Sequence, residues 1–357
     1  MRIKSNLQES EFEELARPKL KLFMSVDIVG STHFKQRELK GPNQNWLNLF
    51  ISFFTEFPGL LNSEVVGLDS SLSPVRLWKA LGDELIFTVE LEKRVSAACY
   101  IKALVRALHK AVHHWHTDAE EPARRELHLK GAAWLVGFPV GNVEIPLVSS
   151  SVKDDEKGAG VRNDNRDYIG PLVDMGFRLK EYASSRKLVI SADLAYLMLV
   201  SGLGGDMALF YEGEFPLKGV LRGKPYPVIW IDCDGHPYTQ GPSAEMNRLK
   251  DGFKGASPVN NGSLQKYLKL WLQGVKDCPC VPFIYQDPSE DFMPGPDFEE
   301  RLRTTVDDLK VSFYRETPMD GDQDCRGTVP SEVRSLIEMI QVKETVRKGA
   351  KKKAGRG

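Results

Sequence analysis

VRLWKALGDELIFTVE, residues 75–90, decides how this chain folds. Val, Leu, Ile and Phe dominate two short runs that read as β-strands, and Gly82-Asp83 between them supplies the positive φ that a tight hairpin turn needs. With a side-chain period of two, Lys79 is expected on the face of Val75 and Leu77, while Asp83 projects at the bend. A Gly-Asp turn alone usually marks a solvated hairpin tip. It gains meaning from LKLFMSVDIVGST, residues 20–32, a second apolar strand that closes on Asp27. Two strand-end carboxylates can flank a divalent cation.

Working outward, Glu9–Ala16 reads as a short helix before Pro18, followed by a strand over 19–28. After Gly30-Ser31-Thr32 and Pro42, the spacing of Trp46, Phe50, Phe53 and Phe57 predicts a helix whose aromatic stripe faces the core. Beyond the hairpin a long helix is expected over 95–116, with Val95, Ala98, Ile101, Val105 and Leu108 on its buried face. Its His109, His113 and His116 have a spacing open to metal binding, yet read better as a solvated helix end. A strand over 127–136 follows. Residues 139–166, rich in Gly, Ser, Asn, Asp and Lys, read as a long mobile loop. A helix over 171–183, the strand KLVI, a helix over 193–200 and strands over 209–215 and 226–231 complete the order. That order predicts an α+β sandwich of split βαβ, ferredoxin-like type, with helices on a mostly antiparallel sheet.

The 357 residues suffice for a large core, and a net charge of -1 gives no global attraction to nucleic acid or membrane. No long apolar span and no signal-peptide pattern is found, so a cytoplasmic protein is expected. Five cysteines, Cys99, Cys233, Cys278, Cys280 and Cys325, lack paired zinc spacing, and Cys278-Pro-Cys280 reads as a turn. The chain divides into an N-terminal segment (1–18), a main domain (19–232), a C-terminal extension (233–341) and a basic tail (342–357) expected to be disordered. The extension carries helices predicted over 264–272 and 297–312 but no catalytic motif, and reads as packing or dimer support.

VDIVGST and KALGDE, followed by DYIGPLVDMGFRL and LKG, together resemble the class III nucleotidyl cyclase homology domain, over residues 20–231. The resemblance implies a class III cyclase-like fold in which Asp27 and Asp83, with the Ile28 carbonyl, bind two divalent cations, Mg²⁺ or Mn²⁺. Lys79 and Asp167 take the base-reading positions, and Arg178 takes that of the arginine that steadies the transition state. It further implies a head-to-tail homodimer with sites at the interface. Asp174 stands where the family usually has Asn for the ribose, and Phe177 replaces one of the two small residues before the arginine. Asp174 and Arg178, four apart, are placed to form an ion pair. With the long insertion and the extension, these departures make the chain resemble most the Pycsar pyrimidine cyclases of bacterial anti-phage defence, whose cyclic UMP or cyclic CMP is read by a separate effector.

The chemistry asks for these residue types. Closing a 3′,5′-cyclic monophosphate needs two metals on hard oxygen ligands for in-line attack of the ribose 3′-OH on the α-phosphorus. Gly30, Ser31 and Thr32 lead towards a helix whose backbone N–H groups can hold phosphate, and Lys218 is a further triphosphate contact. Lys79 as donor and Asp167 as acceptor suit uracil, hence UTP ahead of CTP, although purines satisfy the same pair. Trp46 or Phe177 would shorten the pocket if either lined it. Three alternatives stand beside this reading: an adenylate or guanylate cyclase, a non-catalytic nucleotide-sensing domain, and a diguanylate cyclase, whose signature Leu81-Gly82-Asp83-Glu84 lacks the second glycine.

Overall fold

In a computed structural model, the described residues are 7–38, 45–117, 127–147, 166–202, 207–233, 245–246, 249–250, 257–275, 283–284, 287–288 and 294–314. Strand β1 (Lys19–Val29) runs through the middle of a seven-stranded sheet, with β3 (Glu84–Glu90) on one side and β4 (His128–Phe138) on the other, both antiparallel to it. β2 (Arg76–Leu81) forms the edge beyond β3. Beyond β4 come β7 (Lys187–Ile190), β9 (Pro225–Asp232) and β8 (Leu209–Pro216). β4 and β7 pair in parallel, and the remaining neighbours of this sheet are antiparallel. The result is the mixed α+β architecture with a mostly antiparallel sheet that the element order predicts.

β1 is buried along nearly its whole length, and its two faces differ in chemistry. Leu20, Leu22, Met24, Val26 and Ile28 are apolar and point one way; Lys19, Lys21, Phe23, Ser25 and Asp27 point the other. The apolar face is covered by α3 (Asn45–Leu68) and α4 (Ser96–Thr117): Phe57 lies 6.0 Å from Phe87, whose register partner is Met24, and Phe53 packs 6.1 Å from Trp115. Phe50, Phe53 and Phe57 are buried as their spacing predicts, with Trp46 packed beside them. The α4 stripe is rotated from expectation. Val95 is exposed, and Ala97, Ile101, Leu104 and Leu108 form the buried face together with Tyr100.

The opposite face holds an aromatic cluster. Phe23 stacks on Trp134 of β4 at 5.6 Å and meets Trp78 and Tyr168 edge-on. Over it lies α5 (Pro171–Leu179), and Gly176 allows the contact, since a Cβ there would collide with the Trp134 ring. A short ribbon, β5 (Val143–Pro146) paired with β6 (Arg166–Ile169), covers the rest. This corrects the reading of 139–166 as one continuous loop: Glu144 and Ile145 are ordered by pairing with Tyr168 and Asp167, while residues 148–165 lie outside the described residues.

Of the three α4 histidines, His113 is exposed as a solvated helix end predicts, and His109 and His116 depart from that reading. His109 is buried and its Nε2 meets the Cys233 carbonyl, while His116 Nε2 lies 2.9 Å from the Leu127 carbonyl. α6 (Ala192–Val200) follows β7 and receives α7 (Asn261–Gly274), whose Leu264, Leu268 and Leu272 join the main core. α1 (Glu9–Ala16) packs with α8 (Phe298–Tyr314) in a smaller cluster built on Phe12, Leu15, Leu302 and Val306. Cys278, Cys280, Cys325 and the basic tail lie outside the described residues. Among those described, no helix is long and apolar enough to cross a membrane.

Candidate active site

Strand register sets the first group of side chains. Asp27 on β1 is paired with Glu84 on β3 and with Lys130 on β4, so three charged groups form a row across one face. Lys130 Nζ stands 2.9 Å from Asp27 Oδ2, while Asp27 Oδ1 is buried without a hydrogen-bond partner. Burial raises the Asp27 pKa above the usual carboxylate value; Lys130 opposes the rise, and the charges of Asp83 and Glu84 add to it. Gly82, at φ 68°, turns the hairpin so that the Asp83 carbonyl accepts the Ile28 N–H at 3.3 Å. The Ser31 hydroxyl, at the start of α2 (Ser31–Glu38), donates to Asp83 Oδ2. The two carboxylates therefore stand together beside the end of β1 and the first turn of α2.

Glu84 is fully engaged. It accepts the Ser25 hydroxyl at 2.5 Å and the Lys180 ammonium at 2.6 Å. That leaves Asp27 and Asp83 as the carboxylates with coordination to offer, and the orphaned Oδ1 of Asp27 is what a hard cation would satisfy. Among the described residues, no group of three or more His, Cys, Asp or Glu side chains is arranged to hold a metal. A site here would draw on the two carboxylates and on backbone oxygen. Gly30 is at φ 76°, Ser31 is buried and Thr32 is exposed.

Lys79 and Asp167 come together from distant parts of the chain, with Nζ 2.7 Å from Oδ1. A β-bulge makes this possible. Leu77 pairs with Phe87 but Lys79 pairs with Ile86, so Trp78 is the extra residue and Lys79 is turned to the face opposite Leu77. This corrects the strict two-residue alternation, which put Lys79, Leu77 and Val75 together. The bulge also lays Trp78 against Phe23 and Tyr168, with Lys79 Nζ 4.5 Å from the Trp78 ring. Asp167 Oδ1 additionally accepts the Tyr168 N–H at 2.8 Å.

On α5, Asp174 and Arg178 are both exposed, and the ion pair Arg178 makes is with Glu181 at 3.8 Å instead of Asp174. Asp174 lines a cavity of about 810 Å³ between the start of α5, the 219–222 turn and the C-terminal extension, where Arg222, Phe298 and Arg301 form other walls. Lys218 is exposed on the adjoining turn. Phe177 packs between Trp78 (6.2 Å) and Trp134 (5.8 Å), and Trp46 lies against Phe50.

No protein-family model matches the chain, and no curated protein matches it. Among solved structures, it is similar to the adenylyl cyclase CyaB from P. aeruginosa at 14% identity and TM-score 0.40, over 60% of this chain and 94% of that one. It is similar to the guanylyl cyclase Cya2 at 15% and 0.40, over 60% and 92%. For the guanylate cyclase domain of RhGC from Catenaria anguillulae the values are 11% and 0.40, over 60% and 97%. Likeness of that degree assigns no activity, which has to rest on the side chains of this chain.

Four side chains that shape this face were not legible as such. Lys130, Glu84 and Lys180 read as ordinary strand or helix charges and Glu144 as part of a loop, and only the β1–β4 register, the α5 packing and the ribbon reveal their partners. Glu84, adjoining Asp83 in the quoted hairpin, was the one with a local signal: a carboxylate entering a strand that is buried on both faces.

Proposed function

We propose that the chain is a nucleotidyl cyclase of class III type, converting a nucleoside triphosphate to its 3′,5′-cyclic monophosphate and pyrophosphate. The observation that carries this reading is the convergence of Asp27 and Asp83 beside the first turn of α2, with one buried carboxylate oxygen left unpartnered. Asp27, Asp83 and the Ile28 carbonyl would hold two Mg²⁺ or Mn²⁺ ions. Bound there, the ions lower the pKa of the ribose 3′-OH and neutralise the leaving oxygens. The α2 N–H groups from Gly30-Ser31-Thr32 face the β- and γ-phosphates, with the Ser31 hydroxyl itself committed to Asp83. Arg178, 46% exposed and weakly paired, is free to swing to the transferring phosphoryl group, whereas Lys218, beside the turn that meets the start of β1, would reach a phosphate only across a dimer interface.

Lys79 and Asp167 read the base, with uracil O4 accepting from the ammonium and N3–H donating to the carboxylate. Trp78 and Phe177, packed beside the pair, favour one ring over two, so UTP is the expected substrate, then CTP. Exposed Leu81 and Ile169, near Lys79 and Asp167 in sequence, suit burial in a homodimer whose sites are shared. In the narrower, Pycsar-like reading, the cyclic pyrimidine nucleotide signals phage infection to a separate effector; the motif resemblance supports it. The test is pyrophosphate release from UTP, CTP, ATP and GTP with Mg²⁺ or Mn²⁺, the product identified by mass spectrometry. A cyclic monophosphate from UTP is expected. Absence of metal-dependent product from all four would overturn the cyclase reading.

One observation favours a second reading, a nucleotide-sensing domain without catalysis. The Lys130 ammonium sits on Asp27, where a cation would bind. Nucleotide binding that proceeds equally with and without divalent metal, and yields no product, would support it.

A further inference from the structure

The start of β1 holds an arrangement that the proposed chemistry does not use directly. Glu144 of the β5–β6 ribbon has a side chain 0% exposed, and three cations surround it: Lys19 Nζ at 3.1 Å from Oε2, Lys21 Nζ at 3.0 Å from Oε1, and the Arg166 guanidinium on Oε2. Burial pushes the Glu144 carboxyl up, and the charges of Lys21, Lys19 and Arg166 more than offset this and hold it below the usual range. Two of the cations belong to β1 and the third to the ribbon, so this one carboxylate ties the ribbon to the sheet.

What it ties down is the residue between two anchors. Arg166 is fixed by Glu144, and Tyr168 receives the Lys21 ammonium at 2.8 Å on its hydroxyl while its ring lies against Phe23 and Trp78. Asp167 lies between them, and its polar contacts among the described residues are with Lys79 and the Tyr168 N–H. The register Glu144↔Tyr168 and Ile145↔Asp167 sets how far the carboxylate of Asp167 reaches. A ribbon of four residues per strand is too short to hold that position by its own pairing.

We infer that Glu144 is a positioning residue for base selection: its buried contacts with Lys19, Lys21 and Arg166 hold the β5–β6 ribbon on β1 and so aim Asp167 at the base edge beside Lys79. This rests on the proposed base-reading role of Lys79 and Asp167. The ribbon is a lever, and a shift of about 1 Å at the carboxylate is enough to cost on the order of a hundredfold in a selected reaction.

The test measures kcat and KM for the four triphosphates in the wild type, Glu144→Gln and Arg166→Met, with hydrogen exchange of ribbon amides in each. Arg166 lies at the rim, so its variant keeps the test decisive if Glu144→Gln fails to fold. Expected are faster exchange at residues 166–169, unchanged protection in α3 and α4, and a loss of about tenfold or more in the kcat/KM ratio between the preferred base and the others, carried mainly by KM. A general structural role would lower turnover for all four nucleotides in proportion. Faster exchange with undiminished discrimination would overturn the positioning role, and unchanged exchange in a folded variant would overturn the clamp. Absence of product in the wild type would sink the cyclase reading while the exchange result still judged the clamp.

Discussion

At the start of β1, Lys19 and Lys21 share a fully buried carboxylate with Arg166, and each anchor beside Asp167 has its own partner. At the other end of the same face, Asp27 has one ammonium neighbour, an unpartnered oxygen and a raised pKa. Both ends take ionised groups out of water, which costs several kcal/mol per ion unless partners compensate. At the first end Glu144 Oε1 also lacks a hydrogen bond, but three cations of the chain surround that carboxylate and meet its charge, so this end is the more fixed structure. The second is under-compensated, the condition expected of a site that a cation completes. If that contrast is correct, substitutions at the two ends should separate: one end governs catalysis with little effect on folding, the other governs folding and selectivity.

The largest effect is expected at the open end. Asp27→Ala and Asp83→Ala should each remove turnover by on the order of a thousandfold to ten-thousandfold, matching the several kcal/mol that bound metal supplies. Circular dichroism should be unchanged, because neither carboxylate is needed by the core. Arg178→Ala should lose on the order of a hundredfold or more. Mixing the Asp83→Ala and Arg178→Ala chains should restore part of the activity if each site draws on two protomers. Normal turnover in either aspartate variant would remove the distinction between the two ends.

Next comes the closed end. Glu144→Gln leaves three cations around a neutral amide, and loss of one partner of a buried ionic cluster costs about 3 kcal/mol of stability. Urea unfolding should show this as a lower midpoint. Asp27→Asn, by contrast, relieves an under-satisfied charge and should hold or raise the midpoint. Equal destabilisation by both would mean that the ends of β1 do not differ.

The sequence made these two ends unequally legible. Asp27 and Asp83 stood out because each is a carboxylate at the end of an apolar strand or at a turn, a local pattern that needs no knowledge of pairing. Lys79 and Asp167 were found through motif resemblance, and the alternation rule then put Lys79 on the wrong face, since a bulge at Trp78 leaves no mark in a periodic pattern. Glu144 was hidden in a polar stretch whose composition reads as loop. Two four-residue strands pair there because buried charges and the Tyr168 ring anchor them, which is tertiary information. The strands and helices of the core were legible because burial on one or two faces writes periodicity directly. The α4 stripe slipped because small residues such as Ala97, Ala103 and Ala107, the ones actually buried, carry little hydrophobic signal.

Another buried carboxylate lies away from both ends of β1. Asp193, at the start of α6, is a buried carboxylate with no cation beside it among the described residues: Oδ1 accepts the Leu194 N–H at 2.9 Å and Oδ2 finds no partner among them. Burial raises its pKa from 3.8 to about 6, against the pull of Ser191 and the Leu194 amide. The folded chain therefore binds a proton that the unfolded chain releases sooner, so this contribution to stability is complete below pH 3.8 and is lost as pH rises through about 6. Asp193→Asn should flatten stability between those values and gain roughly 2 kcal/mol at neutral pH, from about 1.4 kcal/mol per pKa unit less a new amide to satisfy. Chemical denaturation at pH 4, 5, 6 and 7 checks both the slope and its sign.

The smallest expected effect is the most direct measure of how open the Asp27 end is. Lys130 is one-third exposed, so its ion pair with Asp27 adds at most about 1 kcal/mol to folding, and Lys130→Met should leave the urea midpoint almost unmoved. Its effect on metal should have the opposite sign. On the proposed reading a cation would have to displace the ammonium from Asp27 Oδ2 in the wild type, and Lys130→Met would remove that competition and leave Asp27 its full charge towards the ion. Calorimetric titration with Mn²⁺ should therefore show binding several-fold tighter in Lys130→Met, and no such gain in Lys130→Met combined with Asp27→Asn. Weaker binding in the single variant would mean that Lys130 helps to organise the carboxylates instead of standing in for the ion, and the Asp27 end would then count as a second self-compensated cluster like the one around Glu144.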